Sequence, residues 1–334
     1  MMTARTAEQT IGWQGITLQV YDDWSVVGFG GDSHLGSMRI DSGDDSSAIA
    51  GLEIRWSEAK GKQTEQSLEA RIKPLLRGIV KDAKKNSVLS EPVVKPFRDA
   101  VYSDRDVSID FKWTAGRAGH GRIFHCGECG RIVVVQAYGN PGGEFIKRSK
   151  TVLDSVQCHS GARDYVTWGL YGLLLDVPAD FELTYQQLMN VYLQLKFQRK
   201  NSTDQLMVEQ WSLANVQLKG AYLDEWYELK SVGWTDGVRS EKSESAVKDH
   251  PALAVNGRRS DLAAVLVDSA RQYSKLRLPA LNYAGLLWEC PESNKAYMIQ
   301  SFTRRPEERL VRQCSESTVC HRSGDVIVKV GGQG

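Results

Sequence analysis

Apolar and polar positions alternate near the start of the chain. Ile16, Leu18 and Val20 are separated by Thr17 and Gln19 before an acidic Asp22-Asp23 turn. A period of two predicts a strand with one buried face. The alternation returns over residues 172–181, so that Gly15, Ile16, Leu18, Val20, Asp23 and Trp24 stand opposite Gly172, Leu173, Leu175, Val177, Asp180 and Phe181. Residues 52–59 then stand opposite 207–214, with a Trp-Ser pair in each, Trp56-Ser57 and Trp211-Ser212. Next the period lengthens. Leu68, Ile72, Leu75, Leu76 and Ile79 have the spacing of an amphipathic helix, in which Pro74 predicts a kink or a late start. Leu223, Trp226, Tyr227 and Leu229 predict its counterpart.

The halves also end alike. Residues 121–126, a Gly127-Glu128-Cys129-Gly130 turn and residues 131–138 predict a hairpin, followed by a helix over 145–153 and a short segment ending in Cys158-His159. Residues 286–290, a Pro291-Glu292-Ser293-Asn294 turn and residues 295–302 repeat the hairpin. A helix with Pro306 at its first position runs on toward Cys314, and Cys320-His321 closes the half. The expected architecture is therefore α+β: two tandem copies of a domain with an antiparallel sheet packed by helices, over 12–160 and 166–322. A Gly161-Ala162-Arg163-Asp164 linker joins them, and 323–334 forms a C-terminal tail. Copies of ~150 residues are long enough to bury their own cores.

This order of elements, carried by residues 172–181 and by 145–156, resembles the Mog1/PsbP-like fold, with Tyr21 standing where that pattern has proline. The resemblance implies an accessory or interaction module rather than an enzyme.

Composition narrows the function classes. Of 334 residues, 41% are hydrophobic and 25% charged, an ordinary globular balance. Forty-two basic against 41 acidic residues leave a net charge of +1, which argues against nucleic acid as a partner. No apolar run approaches the ~20 residues of a membrane span. The first ten residues lack the apolar centre of a secretory signal, and the expected location is cytoplasmic.

The six cysteines divide evenly. Cys126, Cys129, Cys158 and His159 in the first half, and Cys290, Cys314, Cys320 and His321 in the second, each make a Cys3His set, with structural zinc as the expected cofactor. Buried free thiols, a Cys126–Cys158 and Cys290–Cys320 disulfide pair, and a Cys126/Cys129 redox dithiol are the competing readings. Adjacent strand residues point to opposite faces, so Cys158 and His159 can share one ion only where the strand is irregular. His125 is an alternative ligand, while His34, His120 and His250 lie in polar, turn-like stretches expected at the surface.

Other motifs are weak. The Gly28-Phe29-Gly30-Gly31-Asp32 run lacks phosphate-loop spacing and predicts a turn. The basic residues of 60–85 and 304–312 fit the solvated sides of two helices. Among nine tryptophans, Trp24, Trp56, Trp168 and Trp211 are expected in the core. Trp226, Tyr227 and Trp234 form the candidate partner-binding face, with another protein as the expected partner. The function expected is a non-catalytic interaction or assembly component with zinc-stapled copies. The alternative is a metal- or thiol-dependent enzyme using Cys126, Cys129 and His159.

Overall fold

The computed structural model describes residues 9–43, 48–61, 63–85, 93–97, 107–159, 164–260 and 280–321. It is a mixed α+β structure dominated by antiparallel sheet. The chain divides into two compact units: residues 1–161 with 167–171, and residues 162–166 with 172–334. Most of the expected linker and the tail over 323–334 lie outside the described residues.

In the first unit, β1 (Gln9–Trp13) and β2 (Ile16–Val20) form a hairpin, and Gly12 pairs with Gly169 of β11 (Tyr165–Leu170). A seven-stranded sheet follows. Its strands are β3 (Ser25–Gly31), β4 (Leu35–Asp41), β5 (Ile49–Glu58), β6 (Val93–Phe97), β7 (Val107–Ala115), β8 (Arg117–His125) and β9 (Arg131–Gly139), in the order β3-β4-β5-β9-β8-β7-β6. Helix α1 (Glu65–Lys85) contains Pro74 and starts where the apolar stripe starts. Leu68 and Ile72 are buried against Ile109, Phe111 and Trp113 of β7, with Ile123 and Ile132 beside them. Its Arg71, Lys73 and Arg77 are exposed, as expected of a solvated helix side. Helix α2 (Gly143–Ser155) leads into β10 (Gln157–Cys158), which pairs with β2.

The second unit holds β12 (Leu173–Pro178) and another seven-stranded sheet. Its strands are β13 (Phe181–Met189), β14 (Tyr192–Arg199), β15 (Gln205–Ser212), β16 (Val238–Val247), β17 (His250–Arg259), β18 (Asn282–Cys290) and β19 (Lys295–Thr303). Their order, β13-β14-β15-β19-β18-β17-β16, is the order of the first sheet strand for strand. Short helices α3 (Ala214–Leu218) and α4 (Leu223–Lys230) lie where α1 lies in sequence, and α5 (Glu308–Ser317) follows the last strand as α2 does. Pro306 precedes the helix cap, Glu307, instead of occupying the first helical position.

One sequence correspondence shifts. Trp24, Trp56, Trp168 and Trp211 are all buried. The two Trp-Ser pairs are nevertheless not equivalent. Ser57 pairs with Ile132 in the α1-facing core, whereas Trp211 pairs with Ala296 in the α4-facing core. Ile132 and Ala296 occupy the same place, each the second residue of its strand, so Trp211 stands where Ser57 stands. Trp56 lies on the opposite face. A one-residue slip in register reverses every side chain of a strand.

The candidate contact face is likewise core. Trp226 and Tyr227 are buried in a cluster with Trp211, Tyr283 and Phe302, and Trp234 packs half-buried against it. The large rings bury the most apolar area, so α4 turns them inward. It leaves Tyr222 before it and Leu229 on it to solvent, at 77% and 73% exposure.

Each core also carries charge. In the first unit Arg122 reaches Asp110 through two hydrogen bonds of 2.6 and 2.9 Å, and donates to the Leu153 carbonyl and to Asp154 near the end of α2. In the second, the buried Glu209 carboxylate accepts from Tyr192, Gln194 and Gln300, and Gln300 in turn accepts from Tyr283.

Candidate metal centres

Each closing hairpin aims a cysteine at the end of the following helix. In the first unit the turn after β8 is closed by the Gly130 N–H donating to the Cys126 carbonyl at 2.9 Å, with Gly130 in the left-handed region at φ +70°. This holds Cys126 and Cys129 on one side of the turn. The residues after α2 return alongside β2, where Cys158 pairs with Ile16 and the His159 N–H donates to the Gly15 carbonyl at 2.6 Å. His159 has φ +80°. That left-handed backbone breaks the strand alternation and lets two consecutive side chains share one point.

Cys126, Cys129, Cys158 and His159 accordingly form one group, with their donor atoms all within 4.8 Å of one another. Cys126 Sγ is 3.5 Å from His159 Nδ1, and Cys129 Sγ is 3.7 Å from Cys158 Sγ. Both of those last sulfurs accept from the Arg131 guanidinium, at 3.2 and 3.3 Å. Arg131 also donates to the carbonyls of Gln14 and Ser33, which fix its position. Hydrogen bonding with Cys126 and Cys158 holds the Cys129 thiol far below its ordinary pKa, while Cys126 and Cys129 push His159 up to about 10.

The second unit assembles a different set. Cys290, Cys320 and His321 converge as the sequence places them, but the fourth member is His250, the first residue of β17. Continuing the β17–β18 register from Ala252 and Trp288 brings His250 beside Cys290. Cys320 Sγ lies 3.3 Å from His250 Nε2 and 3.4 Å from His321 Nδ1, and Cys290 Sγ lies 3.3 Å from His321 Nδ1. Cys290 also contacts the Glu292 carboxylate at 3.3 Å. Burial pushes the Cys320 thiol up to about 11.

Cys314 does not join this group. It sits on the buried side of α5, and burial pushes its thiol up to about 12. The residue standing where Cys129 stands is Ser293, so the turn supplies one sulfur instead of two. His125 is not part of the first group. His34 is exposed, whereas His120 and His250 are buried, contrary to the expectation from their polar neighbours. His120 bonds Ser149 at 2.8 Å, and burial lowers its pKa to about 4.

No family model and no curated protein matches this chain.

The two groups share their surroundings. A Gln14-Gly15 turn with φ of +52° and +81° faces Arg131, and a Tyr171-Gly172 turn with φ of +51° and +74° precedes β12, where Lys295 donates to the Gly172 carbonyl at 3.1 Å. The Ser155 hydroxyl accepts from the Gln19 N–H, and the Ser317 hydroxyl from the Asp176 N–H. All six cysteines are free thiols. Each group presents four nitrogen and sulfur donors, and each can hold a metal ion. Among the described residues, no helix is long and apolar enough to cross a membrane.

Proposed function

We propose that this protein is a non-catalytic assembly or accessory factor, built from two tandem copies of one domain, each stapled by a structural zinc ion. The observation that carries the reading is the spacing of the donors. Tetrahedral zinc with bonds of about 2.3 Å to sulfur and 2.0–2.1 Å to nitrogen has ligand edges of roughly 3.8 Å for S···S and 3.5 Å for S···N. The 3.7 Å between Cys129 and Cys158, and the 3.3–3.5 Å sulfur–nitrogen distances of both groups, match those edges. Four protein donors fill a tetrahedral ion and leave no position for substrate, which favours a structural over a catalytic role.

Duplication is supported by the common strand order and by the equivalent turns around both groups. The accessory role rests on the Mog1/PsbP-like order of elements. It is supported by Leu213, Val216, Tyr222, Leu229 and Val232, which expose apolar surface along one stretch of the second unit, as proteins that dock onto others do. The cytoplasm is the proposed setting, since thiolate ligands must stay reduced.

Elemental analysis of the purified chain, paired with thiol titration under denaturing conditions with chelator, tests the reading. Two zinc per chain with six titratable thiols is the expected result. A metal-free protein with six thiols would sink it.

A further inference from the structure

The two groups differ in a way that their shared framework does not require. In the first, Cys129 is exposed and Cys158 half-exposed, their sulfurs are 3.7 Å apart, and one guanidinium donates to both. In the second, Cys290 and Cys320 are buried at 0% and 5% exposure. Cys290 has the Glu292 carboxylate for a neighbour, and Cys320 lies between two imidazoles. Lys295, which stands where Arg131 stands, donates to the Gly172 carbonyl instead of to a sulfur, although its charge also acts on Cys290 and Cys320.

Resting on the zinc reading, we infer that Cys129 and Cys158 form an oxidation site for hydrogen peroxide, through which the first unit gives up its metal while the second keeps its own. Three thiolates on a divalent ion leave one net negative charge, which Arg131 balances; two thiolates and two neutral imidazoles leave none. An accessible thiolate pair beside a guanidinium cation is where peroxide reacts first. Cys129 Sγ attacks one peroxide oxygen, the O–O bond breaks, and the departing oxygen takes a proton and leaves as water. Cys158 Sγ then displaces hydroxide from the Cys129 sulfenic acid, the S–S bond forms, and the hydroxide takes a second proton. In sum, two thiolates, one hydrogen peroxide and two protons become one disulfide and two waters. The metal keeps its oxidation state but loses two of four donors, leaving Cys126 and His159.

The geometry permits closure. Gly127 and Gly130 flank the two turn residues Glu128 and Cys129, so the turn can move the short distance between a 3.7 Å contact and a bond of about 2.05 Å. Cys126 is buried and bonded to His159, and takes no part.

The test treats the full-length, zinc-loaded protein with hydrogen peroxide. Zinc release is followed with a chromogenic indicator, thiols by titration, and linkage by peptide mass mapping without reduction. Half of the bound zinc should leave, two of the six thiols should disappear, and the cross-linked peptides should join Cys129 to Cys158. Reductant with added zinc should restore the starting state. Cys129→Ser should yield no such linkage; should that variant fail to fold, the wild-type peptide map decides alone. Two zinc ions that both resist peroxide, equal release from both units, or linkage of Cys126 would overturn the inference and leave the zinc reading standing. Protein isolated without zinc would remove the reading on which it rests.

Discussion

Arg122 is charged and 1% exposed, and it survives burial because each of its three nitrogens has a partner. Removing it leaves Asp110 charged and without its bidentate partner in the first core. Arg122→Met should cost about 3–5 kcal/mol, read as a lower denaturant midpoint for the first unit. Glu209 poses the opposite problem, since burial raises its pKa and no cation lies in its hydrogen-bonding set. A carboxyl whose folded pKa exceeds its unfolded value binds protons more tightly when folded. Its penalty is therefore largest at high pH and relaxes as the pH falls toward the unfolded value. Urea unfolding of wild type and Glu209→Gln at pH 7.5 and 5.5 should show their stability difference moving in favour of wild type on acidification; a difference independent of pH would contradict this. His120 carries the other sign. Its pKa of about 4 lies below the ordinary 6.5, so its contribution is intact above 6.5 and is lost as the pH falls toward 4.

At the scale of elements, the turns hold the groups together and the ends of α3 carry local strain. Leu213 is the cap of α3 at φ +59°, half exposed, in a region costly for a branched side chain. Leu213→Gly should raise stability by roughly 0.5–1 kcal/mol, measured by thermal unfolding. The alternating strands and both closing hairpins were legible in the sequence, because short-range periodicity and turn residues determine them. The exchange of Cys314 for His250 was not. His250 reaches its group only through the pairing of β17 with β18, and Cys314 is turned inward by helical rather than extended geometry. The recurring Trp-Ser letters misled for a related reason, since matching residues cannot fix a register.

At the scale of the molecule, each group joins a unit's closing hairpin to its final segment. Withdrawing metal should therefore loosen both units. With zinc bound, calorimetry should show higher midpoints than after chelator treatment, by about 2–4 °C for every kcal/mol of binding energy lost, and added zinc should restore them. Duplication is the largest inference drawn from the sequence, and the two seven-stranded sheets have the same strand order.

The position of His159 has a consequence for synthesis. Its backbone N–H closes onto Gly15, near the opposite end of the unit's sequence, and all four donors of the first group lie between Cys126 and His159. No metal can be fully enclosed there until nearly the whole unit has left the ribosome. The donors of the second group, from His250 to His321, are still unmade at that moment. If each group takes an ion once its donors are complete, the direction of translation sets the order of filling. The group completed first is then the one whose donors include the exposed sulfur of Cys129.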